Sequence, residues 1–181
     1  VWGTWRIASA AGEHGVSISS LLTFSQFLYS LTSNRASLRQ TGIDLIRRLL
    51  DLAALVGAPN LLVVPGAVSA DTTVEDAYRR LEDAIGALRE DAAQKKIGLG
   101  LENVWSKFLY SPQEMRDFVD RFGSPYVGVH FDVGNVIPYG YPDEWIRVLG
   151  KRLLSIHLKD YDEAVDNIRG FTHLFQGAVP W

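Results

Sequence analysis

Three short apolar segments of this chain each end in a side chain that can bind a metal ion. The residues that end them are Glu102, Asp132 and His157. Helix-like stretches separate the segments, a pattern that is typical of βα units whose strands lie parallel in one sheet. Because the carboxyl ends of parallel strands share one edge of a sheet, we expect the three side chains to converge there. Two carboxylates and an imidazole in one place indicate a site for a divalent ion and favour an enzyme.

The remainder of the chain shows the same alternation of helices and strands. Its clearest helix begins at Ser111, which can cap the first turn, and Glu114 can complete a capping box. Pro112 suits the first helical position, and Gly123 is expected to end the helix. Apolar residues at helical spacing predict further helices over residues 39–56, 72–96 and 142–150. The predicted strands span residues 16–22, 61–65, 97–102, 127–132 and 153–158, with a sixth near 171–175.

The faces of the predicted strands differ in character. Side chains alternate between the two faces of a strand, and here one face is apolar while the other is small or polar and ends in the three candidate ligands. On the predicted strand that carries His157, the side chains of Leu153 and His157 are predicted to lie on the inner face. Leu154, Ile156 and Leu158 are predicted to pack on helices. This pattern fits a (β/α)₈ barrel, in which catalytic residues lie at the carboxyl ends of the strands.

The length of the chain limits how much of such a barrel it can form. A complete (β/α)₈ barrel takes typically ~250 residues, whereas this chain has 181. We therefore expect an α/β fold in which residues 1–181 form one partial barrel domain, as a fragment of a longer protein. The unpaired edges of an incomplete barrel make association into a homo-oligomer an expectation as well.

Composition excludes several classes of function. The net charge is −3 and no block of lysine or arginine occurs, so no nucleic-acid partner is expected. The chain has no cysteine, which excludes disulfides and thiolate metal sites and favours a reducing, cytoplasmic location. The longest apolar stretch, residues 52–68, is interrupted by glycine and proline. We therefore expect no membrane span. The N-terminus lacks a basic segment followed by an apolar one, so no signal peptide is expected either.

Four longer motifs carry a family resemblance. They are GLENVWSKFLYSP at 100–112, YVGVHFDVGN at 126–135, GYPDEWIRVLGKR at 140–152 and IHLKD at 156–160. In this order they resemble the sugar phosphate isomerase/epimerase family, which belongs to the xylose isomerase-like TIM barrels together with the ketose 3-epimerases. The resemblance runs from about Gly15 onward. It implies an incomplete barrel of about strands 2 to 7 that lacks the last strand and its metal-binding glutamate.

The resemblance also implies roles for the three strand-end residues. Glu102, Asp132 and His157 match metal ligands, and Glu102 matches one of two carboxylates that move a proton. An imidazole with oxygen donors favours Mn²⁺, with Mg²⁺, Co²⁺ and Zn²⁺ as alternatives. His130 lies one layer below Asp132 and is predicted to be a buried, hydrogen-bonded side chain, with support of the metal site as the alternative role.

Four further residues are candidates for contact with a substrate. Asn135 follows Asp132 by one turn and could bind a hydroxyl group, and Trp105 could stack on a sugar ring. The Lys107 ammonium could meet a hydroxyl group or a phosphate, and Lys159 is a candidate because it follows His157 on the same side of its strand. The expected partner is thus a small sugar or sugar phosphate.

These observations predict a metal-dependent isomerase or epimerase that moves a proton next to a carbonyl through an enediolate, although the isolated fragment could be inactive. One alternative is a barrel fragment that binds a metal or a carbohydrate without catalysis. A second is a metal-dependent phosphodiesterase of the endonuclease type on the same scaffold. The four histidines and the net charge of −3 argue against the second alternative, because such sites use many ligands and a basic surface.

Overall fold

A curled parallel sheet forms the centre of the protein in the computed structural model, which describes residues 2–165 and 167–181. Its strands are β1 (Ser20–Leu21), β2 (Asn60–Val63), β3 (Gly98–Glu102), β4 (Val127–Asp132) and β5 (Leu153–His157). The five strands lie in their chain order, and every neighbouring pair is parallel. This is the strand arrangement of a βα barrel, so the predicted incomplete barrel is confirmed.

Helices connect the strands, and the longer ones pack against the outer face of the sheet. They are α1 (Trp2–Glu13), α2 (Ser25–Leu28), α3 (Ala36–Val56), α4 (Val74–Lys95), α5 (Pro112–Asp120), α6 (Val133–Val136) and α7 (Pro142–Leu149). Within the described ranges, none of these helices is both long and apolar enough to cross a membrane. The hydrophobic core lies between the helices and the outer side chains of the sheet, among them Leu99, Leu101, Val129 and Phe131, which are fully buried.

Local chemistry sets the limits of several helices. At the start of α5, the Ser111 hydroxyl accepts a hydrogen bond from the Glu114 amide and the Glu114 carboxylate accepts one from the Ser111 amide, so the predicted capping box is confirmed. This helix ends at Asp120, three residues before the predicted stop at Gly123. Helix α4 begins after Thr73, whose hydroxyl accepts a hydrogen bond from the Asp76 amide.

Strand β5 contains one extra residue relative to β4. Val129 pairs with Leu153 and His130 pairs with Ser155, so Leu154 has no partner on β4. Such a β-bulge reverses the alternation of side chains at the inserted residue. The predicted faces of Leu153 and Leu154 are therefore wrong, because Leu153 lies on the helix side with Val129 and Leu154 points into the barrel.

Leu154 fills the base of the curled sheet. A Cβ atom added to Gly98 on β3 or to Gly128 on β4 would lie 2.8 Å from the Leu154 side chain, so only glycine leaves room for it. The Asn60 side chain on β2 donates a hydrogen bond to the Leu154 carbonyl on β5 at 3.2 Å. This contact between strands three places apart in the sheet shows how strongly the sheet curves.

The chain leaves the main sheet after β5. The predicted sixth strand of the barrel is wrong, because β7 (Phe171–Thr172) pairs antiparallel with β6 (Asp160–Tyr161) in a separate two-stranded sheet. The predicted packing of Ile156 and Leu158 on helices is wrong as well, since these side chains are 44% and 64% exposed. The alternation of side chains along one strand predicts the face on which a residue lies, but it does not predict which other element covers that face.

A buried carboxylate fixes the path of the chain beyond β5. Asp160 accepts hydrogen bonds from the backbone amides of Tyr161, Gly177 and Val179 and from the Trp181 indole, at 2.9 to 3.1 Å. Burial opposes ionisation of Asp160, but these bonds from Trp181, Val179, Gly177 and Tyr161 outweigh burial and lower its pKa to about 2. Asp160 thereby ties residues 177–181 to β6.

Replacing Asp160 with alanine is expected to lower the free energy of unfolding by about 2–3 kcal/mol, because several donors lose a charged acceptor. Thermal unfolding followed by circular dichroism measures the loss. Asp162→Ala is the matched control, since the exposed Asp162 carboxylate accepts a bond from the nearby Ala164 amide at 2.9 Å and is expected to cost under about 0.5 kcal/mol. An equal loss in both variants would contradict the anchoring role.

The same substitution has an expected pH dependence. The Asp160 pKa is lowered in the folded protein, so its contribution is full above the ordinary carboxyl pKa of about 3.9 and is lost as the pH falls through about 2. The difference in melting temperature between the wild type and Asp160→Ala should therefore be constant above pH 5 and shrink towards pH 2.

Candidate metal centre

The structure brings the three predicted metal ligands together at one edge of the sheet. Glu102, Asp132 and His157 are the last residues of β3, β4 and β5, and Asp132 lies directly beside His157 in the strand pairing. One ligand atom of each residue lies within 4.8 Å of the others. The His157 Nδ1 atom is 3.3 Å from Glu102 Oε1 and 3.7 Å from Asp132 Oδ2. The two carboxylates are buried and the imidazole is half-buried.

Opposite charges balance one another in this cluster. The carboxylates of Asp132 and Glu102 raise the pKa of His157 to about 9, so the imidazole is protonated at neutral pH. The Lys159 ammonium lies 2.6 Å from Asp132 Oδ2. Burial opposes ionisation of Asp132, but the nearby imidazole of His157 and the positive charge of Lys159 outweigh burial and lower the Asp132 pKa.

The donor set fits a divalent ion. Carboxylate oxygens and an imidazole nitrogen suit Mn²⁺, Mg²⁺, Co²⁺ or Zn²⁺, and the ligand atoms are near enough for side-chain rotation to bring them onto one ion. His157 and Lys159 place positive charge beside the two carboxylates. A bound cation would supply the same kind of charge at this position. Binding would release the proton from His157, because a ligating imidazole is neutral.

Asn103 holds the backbone of Asp132 in place. Its side-chain oxygen accepts a hydrogen bond from the Asp132 amide at 2.7 Å, and its side-chain nitrogen donates to the Asp132 carbonyl at 2.8 Å. Asn103 is 1% exposed, so both bonds are shielded from water. The backbone amide of Asn135 donates a hydrogen bond to Asp132 Oδ1 at 2.9 Å and so orients the carboxylate itself. This role of Asn103 was not predicted from the sequence, where its only signal is its place directly after Glu102.

Replacing Asn103 with alanine is expected to weaken Mn²⁺ binding by roughly 10-fold, because the residues that orient ligands contribute about 10–100-fold to metal affinity. Calorimetric titration measures the change. Asn60→Ala is the matched control: it removes a half-buried hydrogen bond from the side-chain amide to the Leu154 carbonyl at the opposite end of the sheet, and it should lower stability without changing metal affinity. Equal metal affinity in both variants would show that Asn103 is purely structural.

His130 lies beneath the triad in an unusual environment. It is 1% exposed, and within the described chain neither ring nitrogen has a hydrogen-bond partner. Its ring packs edge-to-face on His157 with the centroids 4.2 Å apart. Burial, and then the charge of His157, lower the pKa of His130 to about 4, so it is neutral. The prediction that His130 is buried is confirmed, whereas no described residue of the protein bonds to its ring nitrogens, because the position of a residue in a strand indicates burial and does not specify a partner.

Three of the four predicted substrate contacts line a cavity of about 690 Å³ beside the triad. Asn135, Trp105 and Lys159 are part of its wall, as are Glu102 and His157. The Trp105 indole donates a hydrogen bond to the Asn135 carbonyl at 2.9 Å, which fixes the plane of the ring.

Lys107 is placed differently from the other three candidates. It is exposed, has a φ of 64°, and lies outside the residues that line the cavity. The contacts of all four residues with a substrate stay predictions.

Comparison with known proteins gives a family and a set of structural neighbours. The family model described as xylose isomerase-like TIM barrel matches residues 5–181. The "Putative L-ribulose-5-phosphate 3-epimerase SgbU" of Escherichia coli (strain K12) is 24% identical over 155 residues, which is 85% of this chain and 54% of that protein. The chain thus spans about half the length of the curated relatives it matches, 54% and 56% of the two.

Solved structures share the fold at low sequence identity. A D-tagatose 3-epimerase-like protein superposes with a TM-score of 0.84 at 19% identity, over 98% of this chain and 67% of the other. The IOLI protein, solved with a zinc atom, superposes with a TM-score of 0.79 at 16% identity, over 98% of this chain and 64% of the other. At these identities the superpositions establish the fold alone.

Proposed function

Because the chain belongs to the xylose isomerase-like TIM barrel family, we propose that it carries the metal centre of an enzyme that epimerises or isomerises a small sugar or sugar phosphate. The observation that carries this proposal is the convergence of Glu102, Asp132 and His157, with their ligand atoms within 4.8 Å of one another. The names of two relatives, a ketose phosphate 3-epimerase and a ketose 3-epimerase-like protein, support this reaction class.

In the proposed site Glu102, Asp132 and His157 hold a divalent ion. We propose Mn²⁺, with Mg²⁺, Co²⁺ and Zn²⁺ as alternatives; the zinc atom in one structural neighbour supports a divalent ion and not a particular one. When bound, the ion supplies electrostatic stabilisation of the negative charge that develops on the substrate as the proton leaves.

Glu102 is the proposed base of the reaction. Its carboxylate is 7% exposed and borders the cavity, so it can reach a substrate there while the surroundings exclude most water. It would take the proton from the carbon next to the carbonyl group, a contribution of roughly 10²–10⁴-fold to the rate. Return of the proton to the opposite face, or to the neighbouring carbon, requires a second acid, which the family resemblance assigns to a glutamate on a further strand.

Asn135, Trp105 and Lys159 are the proposed contacts with the substrate. The indole plane of Trp105, held by its bond to the Asn135 carbonyl, can lie against the carbon–hydrogen face of a sugar. The Asn135 side chain can exchange hydrogen bonds with a hydroxyl group. Lys159 forms an ion pair that orients the Asp132 carboxylate. Its side chain also lines the cavity, where it can contact the substrate.

Solvent exchange tests the proposed function directly. The chain is incubated in deuterium oxide with Mn²⁺ and either L-ribulose or D-tagatose, and the recovered sugar is analysed by NMR. Deuterium at the carbon next to the carbonyl group, dependent on Mn²⁺ and abolished by a chelator, is the expected result. Mn²⁺ binding without exchange would favour the alternative of a barrel that binds a metal or a carbohydrate without catalysis.

A further inference from the structure

The two oxygens of the Asp132 carboxylate differ in their partners. Oδ1 accepts a hydrogen bond from the backbone amide of Asn135 at 2.9 Å. Oδ2 lies 2.6 Å from the Lys159 ammonium, yet among the described residues this buried oxygen has no partner with hydrogen-bond geometry. Buried carboxylate oxygens normally have such a partner, because their lost hydration is otherwise not recovered. Oδ2, which also faces His157 Nδ1 at 3.7 Å, is therefore the atom of Asp132 that is available to an ion.

Lys159 opposes a second cation at this oxygen. A divalent ion bound to Oδ2 would face the ammonium across a single oxygen atom. The Asp132 side chain is fully buried, so water and salt screen the repulsion between two such charges only weakly. The ion and the ammonium therefore cannot both stay in contact with Oδ2 without a large unfavourable interaction.

The Lys159 side chain has a second position within reach. Its ammonium lies 4.6 Å from the centre of the Phe171 ring, and the residue lines the cavity. The backbone of Lys159 is fixed, because a Cβ atom added to Gly134 of α6 would lie 2.9 Å from the Lys159 carbonyl oxygen. Rotation of the flexible four-carbon side chain alone can move the ammonium from Oδ2 towards the cavity, where the aromatic face still attracts it.

We propose that Lys159 and the divalent ion compete for Asp132 Oδ2, so that metal binding turns the ammonium into the cavity as a hydrogen-bond donor to substrate oxygens. The inference rests on the proposed function, which places the ion at the triad. Lys159 then pairs with Asp132 before the ion binds and contacts the substrate afterwards. The energy spent on displacing the ammonium lowers the apparent metal affinity, because only the fraction of molecules with Oδ2 uncovered can bind the ion.

Removal of the lysine charge tests the competition through metal affinity alone. Lys159→Met keeps an unbranched apolar side chain without the charge, and it should tighten Mn²⁺ binding, measured by calorimetry, by about 10-fold or more. Lys159→Arg keeps the charge and should bind Mn²⁺ no more tightly than the wild type. Lys151→Met is the matched control, because it removes the same charge from an exposed residue before the opposite end of β5 and should change the affinity by less than about twofold.

The wild-type chain gives a second readout that does not depend on the folding of a variant. The rate at which an acylating reagent modifies the Lys159 amine is followed by mass spectrometry, with Mn²⁺ or with a chelator. An amine released from Asp132 is more accessible to the reagent, so we expect Mn²⁺ to raise the rate at Lys159 by about fivefold or more. The rate at Lys151 should stay the same.

The outcomes separate the inference from the proposed function. An affinity of Lys159→Met that falls or rises by less than the expected range, an equal gain in Lys151→Met, or a labelling rate at Lys159 that Mn²⁺ leaves unchanged overturns the competition and leaves the proposed function standing. If circular dichroism shows that Lys159→Met does not fold, the labelling of the wild type decides. Failure of Mn²⁺ to bind both the wild type and a folded Lys159→Met removes the proposed metal centre and the inference with it.

Discussion

Replacing Glu102 with glutamine is expected to slow solvent deuterium exchange into a ketose by about 10²–10⁴-fold, the usual contribution of a positioned general base. Glutamine keeps the size of the side chain and one oxygen, but its amide cannot accept the proton from carbon. The residue ends β3 at the cavity wall and touches His157, so its replacement acts where the substrate would lie. Exchange is measured at saturating Mn²⁺, which separates loss of the base from loss of metal.

Glu90→Gln is the matched control for this experiment. Glu90 is an exposed residue of α4, remote from the cavity lining, and its replacement should leave the exchange rate within twofold of the wild type. Exchange that is unchanged in Glu102→Gln would show that another group removes the proton. That result would contradict the assignment of Glu102 as the base, but it would not contradict the assignment of the metal centre.

Replacing His157 with alanine is expected to weaken Mn²⁺ binding by at least about 100-fold, since even residues that only orient ligands contribute 10–100-fold. The substitution removes the single nitrogen donor of the triad and leaves Asp132 paired with Lys159. Calorimetry, or the loss of the free Mn²⁺ signal in electron paramagnetic resonance, measures the affinity.

His173→Ala controls for non-specific loss of an imidazole. His173 is exposed, so its replacement should leave Mn²⁺ affinity unchanged. If His157→Ala and His173→Ala bind Mn²⁺ equally well, the ion binds elsewhere and the assigned metal centre is wrong. Circular dichroism of both variants shows whether the fold is retained during the comparison.

The features that could be predicted from the sequence are those set by local or periodic rules. The capping box of Ser111 and Glu114 needs only four residues, and the structure has it as predicted. The alternation of side chains along a strand and the common edge of parallel strands were enough to predict that Glu102, Asp132 and His157 lie together, as they do in the structure. Their roles as ligands, and that of Glu102 as base, stay predictions, because proximity alone does not establish chemistry.

The features that escaped prediction depend on partners remote in the chain. Asp160 follows the IHLK segment like an ordinary polar loop residue, and its donors lie up to 21 residues further on. The two bonds between Asn103 and Asp132 span 29 residues. That no described residue bonds to the His130 ring nitrogens is equally invisible in the sequence, since a hydrogen bond requires an opposing group in space that no pattern within one strand specifies.

The extra residue in β5 makes the strand longer without changing the direction in which its last side chain, His157, points. Pairing on both sides of Leu154 is regular, so removal of this one residue would restore an unbroken ladder from Leu153 to His157. The histidine would keep its place beside Asp132, whereas the filling of the barrel base and the hydrogen bond from Asn60 to the Leu154 carbonyl would be lost. We therefore expect a variant that lacks this one residue to keep the metal centre. A sequence alignment that forbids a gap inside β5 would pair the wrong residues over the first half of the strand.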